Sequence, residues 1–108
     1  MKTVEYLFYL SGALKDRLRV EVYREKKEIL QFVVQYEGEM SGQWYPIVRY
    51  DTRHGFAHRD RLYPDGSSIK EPLPWDNYNL ALTYATQDLK YNWYKYRREF
   101  EEKMYGTK

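Results

Sequence analysis

The sequence predicts an α+β domain, an antiparallel β-meander of four to five strands covered by one long C-terminal α-helix. Three observations carry that reading. Apolar and polar residues alternate through most of the first half, as strands with one buried face require. Short turn signals interrupt the alternation at regular intervals. From about residue 77 the period changes to three and four, the spacing of an amphipathic helix. The 108 residues fit a single domain, 1–108, with strands over about 3–70 and a helix over about 77–104.

The elements follow in order. In TVEYLFYL (3–10) the alternation of Val4, Tyr6, Phe8 and Leu10 favours a strand, but Leu7 and Tyr9 fill the other face, so strand and helix both stay open. LRVEVY (18–23) sets Leu18, Val20 and Val22 against Arg19, Glu21 and Tyr23, and EKK then turns the chain. EILQFVVQYEGE (28–39) puts Leu30, Phe32, Val34 and Tyr36 on one face. After MSG, QWYPIVRYD (43–51) places Trp44, Val48 and Tyr50 on one side. Pro46 has no N–H to give a ladder, so that strand is at an edge there or bulged.

A fourth strand spans about 56–63, and YPDGSS (63–68) is a turn built from proline and glycine. Pro72 and Pro74 delay any helix, and Asp76 is the expected N-cap. Leu82, Ala85, Leu89, Trp93, Tyr96, Phe100 and Met104 form the apolar stripe, ended by Gly106. Such a helix runs roughly 40 Å. The expectation is that it outruns the sheet, with KYRREFEEK either a solvated end held by pairs such as Arg97–Glu101 or a partner surface.

Composition bounds the function. A net charge of +2 lacks the basic excess of a committed nucleic-acid binder. No cysteine is present, which removes thiolate catalysis and zinc fingers and suits a cytoplasmic setting. The sequence has no apolar run of membrane-spanning length and no signal-peptide pattern. Phosphate-loop, nucleophile-elbow and dinucleotide fingerprints are missing, so no cofactor is expected. Thirteen tyrosines suit packed strands, interfaces and base-stacking surfaces alike.

One stretch is rich in chemistry: RYDTRHGFAHRD (49–60) holds both histidines of the chain, His54 and His58. An even-numbered hairpin loop sets Arg49 opposite His58 and Asp51 opposite Phe56, so that Arg49, Asp51, His58 and Asp60 share the open face. That register points Arg59 and Arg61 at the core, where unpaired guanidinium is costly. A one-residue bulge near Gly55 would reverse the parity and is favoured on that ground, burying His58 and Asp60. His54, His58 and a carboxylate would have to converge to hold a metal. On a turn and strand the H-x₃-H spacing spans up to ~13 Å, so no metal site is expected.

The chemistry these residues suit is metal-independent phosphodiester cleavage. His58, His54, Arg49, Asp51 and Asp60 are the candidate catalytic residues, because histidine titrates near neutrality and arginine stabilises a charged phosphate. Tyr50, Arg53, Arg59 and Arg61 are the candidate binding residues. The competing reading makes Arg49–Asp51 and His58–Asp60 structural pairs that tie the turn together.

The stretch VVQYEGEMSGQWYPIVRYDTRHGFAHRDRLYPDG, with DLKYNW in the helix after it, resembles an uncharacterised prokaryotic domain-of-unknown-function family over about residues 17–105. Arg49, Tyr50, Asp51, His54, Gly55 and His58 are also similar in kind to the RYDN strand and His/Gly-rich stretch of TumE-like toxins of toxin–antitoxin systems, although Thr52 stands where those have Asn. That resemblance implies a toxin-like ribonuclease or RNA-interacting domain, with RNA or an antitoxin-like protein as partner. The alternative is a non-catalytic structural or protein-interaction module using its tyrosine-rich sheet face or C-terminal helix. The aromatic stripe equally suits a homodimer.

Overall fold

The computed structural model describes residues 2–106. Six strands, β1 (Lys2–Tyr9), β2 (Asp16–Glu25), β3 (Glu28–Met40), β4 (Gln43–Asp51), β5 (His58–Leu62) and β6 (Ser68–Pro72), precede one helix, α1 (Tyr78–Tyr105). Each strand pairs antiparallel with its sequence neighbour, in the order β1-β2-β3-β4-β5-β6. The meander therefore has one strand more than the sequence suggested. Residues 2–9 are a strand after all, and Pro72 is tolerated because it lies on an edge strand.

Turn chemistry fixes the hairpins. Ser41 and Gly42, both at positive φ, join Met40 to its partner Gln43 in the two-residue geometry whose twist suits a hairpin. Leu18, Val20, Val22, Phe32, Val34, Tyr36, Val48 and Tyr50 line one face of the sheet, and Ala81, Ala85, Leu89 and Phe100 of α1 close over them. The two alanines let the helix approach closely, while Tyr78 and Trp93 meet Phe32 and Tyr36 edge-on at 6.1 and 6.2 Å. Asn77, one residue later than expected, caps α1 by accepting from the N–H groups of Asn79 and Leu80.

Two irregularities change which residues share a face. The ladder shifts between Tyr36 and Glu37, which pair with Val48 and Pro46, leaving Ile47 as the extra residue of a bulge. Pro46 thus sits at a bulge, as its missing N–H requires. Beyond it the parity is reversed. Tyr45 packs on Phe100 at 5.8 Å, and Trp44 lies on the far face beneath the Arg17 guanidinium at 3.8 Å, away from Val48 and Tyr50. A second shift, after Tyr23, leaves Leu30 unpaired and partly exposed.

The helix does not overhang. β3 alone has thirteen residues, about 43 Å of strand, which matches α1. The last turns are tied down: Arg97 donates to Asp16 (2.8 Å), to the carbonyls of Glu39 (2.8 Å) and Lys15 (3.2 Å), and to Glu101 (3.0 Å). Asp16 also accepts from the Tyr36 hydroxyl at 2.5 Å. A matching clamp holds the other half of the helix, where Asp88 accepts from Tyr50 (2.6 Å) and Tyr96 (2.7 Å), and Arg59 donates to Tyr96 (3.0 Å) and Glu71 (2.8 Å). Each clamp joins a tyrosine, an aspartate and an arginine across the sheet–helix boundary.

Candidate functional site

β4 and β5 pair with Asp51 opposite His58, Arg49 opposite Asp60, Tyr50 opposite Arg59 and Val48 opposite Arg61. The loop is 52–57, an even number, so no bulge near Gly55 reverses the parity. This corrects the favoured register, and it shifts the alternative by two residues, since Asp51 faces His58 and not Phe56. The energetic objection to it is met by partners. Arg59 and Arg61 do point to the helix side, where Glu71, Asp88 and Glu99 lie 2.8 to 3.9 Å from their guanidinium nitrogens. Arg61 also lies over the Tyr96 ring at 5.6 Å.

Asp51, His58 and Asp60 accordingly share the far face, yet all three are buried and His58 is only 1% exposed. Their own loop buries them. Thr52 anchors its start by accepting from the Phe32 N–H (3.1 Å), and Asp51 accepts from the Arg53 N–H (3.1 Å). Gly55, at φ 85°, turns the chain and donates to the Thr52 carbonyl at 3.1 Å. The returning strand lays the His54 ring on His58 (5.6 Å, 28° between planes) and Phe56 beside it at 5.4 Å. Leu73 closes the end by donating to the Ala57 carbonyl (2.9 Å).

Inside, His58 Nε2 lies 2.7 Å from Asp51 Oδ1, 3.5 Å from Asp60 Oδ2 and 3.2 Å from Lys70 Nζ. Nδ1 faces the Phe56 carbonyl at 3.3 Å. Lys70, brought in by β6 opposite Asp60, also stands 3.4 Å from Asp60 Oδ1. One potential ligand atom from each of Asp51, His58 and Asp60 lies within 4.8 Å of the others. The span between histidines gave no reason to expect a metal-ligand set. The set the register gathers is a different one, two aspartates with a single histidine.

The expected residues therefore divide. Asp51, His58 and Asp60 meet beneath the loop, with His54 stacked on His58, while His54 and Arg53 are exposed. Arg49 shares their face, and its Nε donates to Gln35 (2.7 Å), which donates to Glu37 (2.7 Å). Burial pushes the Glu37 carboxyl up, but hydrogen bonds from Arg17, Arg19 and Gln35 outweigh it and hold the group below its usual range. Tyr50, Arg59 and Arg61 lie on the opposite, helix face, the first two in the Asp88 clamp and Arg61 beside Glu71 and Glu99. Lys70 and Phe56 were missed. No separate strand was assigned after the 63–68 turn, although the alternation of Ile69 and Glu71 with Lys70 was available.

A family model covers residues 1–105, nearly the whole chain. The chain belongs to the DUF7718 family, a domain of unknown function. No curated protein and no solved structure matches it. No helix among the described residues is long and apolar enough to cross a membrane.

Proposed function

We propose that this DUF7718 domain binds and cleaves RNA as a toxin-like ribonuclease through its 49–60 hairpin. The observation that carries the reading is the stacked histidine pair, in which a buried His58 held against Asp51 supports an exposed His54 beside Arg53. An imidazole seated on a fixed one is preorganised for proton transfer, the work histidine ordinarily does in general acid–base catalysis. His54 takes the proton of a ribose 2′-hydroxyl and the 2′ oxygen attacks phosphorus. The 5′ oxygen leaves and is protonated by solvent. Arg53 and Arg49 supply positive charge for the phosphate oxygens. Tyr50, Arg59 and Arg61 act through the fold.

The test is a single-stranded RNA and its all-deoxy counterpart incubated with the purified chain. The expected outcome is RNA cut to a 2′,3′-cyclic phosphate with the DNA intact, and a rate at least tenfold lower for Arg53→Ala. RNA left whole at stoichiometric protein would count against cleavage.

One observation favours a second reading, the non-catalytic interaction module. β1 is an edge strand whose Tyr6, Leu7, Phe8 and Tyr9 are each more than 40% exposed. Such an edge is a ready template for another strand. Antiparallel pairing of two copies centred on Tyr6 sets Val4 against Phe8 and leaves no like charges opposed. Light scattering of wild type and Leu7→Lys distinguishes the readings, since edge pairing predicts a dimer that the lysine dissolves.

A further inference from the structure

We infer that Asp51, His58 and Asp60 form a binding site for one divalent transition-metal ion, with the Lys70 ammonium holding its place in the cation-free protein. The argument begins at His58 Nε2, which faces Asp51 Oδ1 at 2.7 Å and Lys70 Nζ at 3.2 Å. A protonated Nε2 donates to Asp51 but opposes a donor to a donor at Lys70. A bare Nε2 accepts from Lys70 but opposes its lone pair to that of Asp51. Neither protonation state satisfies both neighbours. A cation on the Nε2 lone pair and the Asp51 carboxylate, with Lys70 displaced, removes the conflict.

Two further observations point to the same ligand. Asp60 Oδ1 is buried and makes no hydrogen bond among the described residues; what faces it is the Lys70 ammonium at 3.4 Å, a cation in the place where a metal ion would sit. The other oxygen of Asp60 is 3.5 Å from Nε2, so both aspartates border one small volume. The second nitrogen of the ring, Nδ1, faces the Phe56 carbonyl at 3.3 Å, the outer-sphere contact that fixes the tautomer of metal-bound histidines. Donor atoms bound to one ion at about 2.0–2.2 Å stand roughly 3–3.5 Å from one another, so Nε2 and Asp60 Oδ2 at 3.5 Å already fit, and Nε2 and Asp51 Oδ1 at 2.7 Å need only part slightly to admit the ion. The other charged groups near the cluster are occupied or can leave: Arg49, opposite Asp60, donates to Gln35, and the Lys70 side chain is 44% exposed and free to swing out.

One imidazole with two carboxylates is a mixed nitrogen–oxygen set suited to manganese, iron(II) or zinc, while magnesium prefers oxygen alone. The inference goes beyond the RNA reading and stands without it. It bears on that reading through charge, because two carboxylates under the loop repel a phosphate and a bound dication neutralises them.

The test is calorimetric titration of the chelator-treated full chain with Mn²⁺ and with Zn²⁺, no RNA present. One ion bound per chain is expected. Lys70→Met, which removes the competing ammonium from an exposed position, is expected to bind about tenfold more tightly. Asp60→Asn, its fold checked by circular dichroism, is expected to bind at least a hundredfold more weakly. No heat at millimolar metal in both wild type and Lys70→Met overturns the site. So does affinity unchanged or weakened in Lys70→Met, or full affinity in a folded Asp60→Asn. Since RNA is absent, a loss of cleavage activity and a loss of metal binding are separate results.

Discussion

Gly38 has no room for a side chain, and its surroundings show how tightly the sheet–helix seam is built. A Cβ there would lie 2.9 Å from Ile47 Cδ1, 3.2 Å from Arg97 Nη1 and 3.4 Å from the Tyr36 hydroxyl. Ile47 is the buried bulge residue, and Arg97 is pinned by four oxygens, so neither can yield freely. Gly38→Ala is expected to cost about 1–3 kcal/mol in urea unfolding, the usual penalty of overpacking. The Tyr50 clamp makes a complementary prediction. Asp88→Asn leaves the Arg59 guanidinium facing Glu71 alone and replaces a charge-assisted acceptor for two tyrosines, with an expected loss of about 2 kcal/mol. None of this is legible in sequence, where Gly38 and Asp88 look like unremarkable members of their strand and helix.

At the scale of elements, the alternating residues of β2 and β3 and the stripe on α1 were readable because each has one buried face, and burial selects side chains at the element's own period. What broke the reading was local. Ile47 inserts one residue and swaps the faces of Trp44 and Tyr45. The favoured bulge near Gly55 was inferred from the cost of burying Arg59 and Arg61, a cost the fold meets with carboxylates from α1 and β6 that lie ten or more residues away in sequence. The burial of His58 beneath its own loop depends on a backbone path that no pattern of residue types encodes. The end of the helix follows the same logic. Arg97 looked like half of a surface pair with Glu101, and that pair exists at 3.0 Å, but its stronger contacts reach back to β2 and β3. Arg97→Ala is expected to destabilise by about 3 kcal/mol, because it strands the buried Asp16. Hydrogen exchange of that variant should show the last two turns of α1 opening first.

Across the whole molecule the polar clamps and the Glu37 cluster tie stability to pH, one at each end of the scale. Burial, then the hydrogen bond to Asp16, raises the Tyr36 hydroxyl well above the ordinary tyrosine range; burial and Asp88 do the same for Tyr50 and Tyr96. The native state therefore holds these protons more tightly than the unfolded chain. Their contribution is complete below the unfolded value of about 10 and declines as the pH rises beyond it. Glu37 works in the other direction. Its lowered value gives stability that is present above the unfolded carboxyl value of about 4.3 and lost as the pH falls through the native one. Thermal melts across pH should show a plateau with an alkaline fall that Tyr50→Phe makes shallower.

The central claim, that the 49–60 hairpin is a working site and not only a polar pin, is tested most directly by comparing His54→Ala with His58→Ala for RNA cleavage and for melting temperature. The account predicts that His54→Ala melts like wild type and loses about a hundredfold or more of its rate, within the range of one acid–base group. His58→Ala should lose both activity and about 1–3 kcal/mol of stability, having taken from buried Asp51 its side-chain partner and left it the Arg53 N–H alone. A His54→Ala protein that cleaves RNA as fast as wild type would contradict the claim, and the hairpin would then be a pin for the sheet.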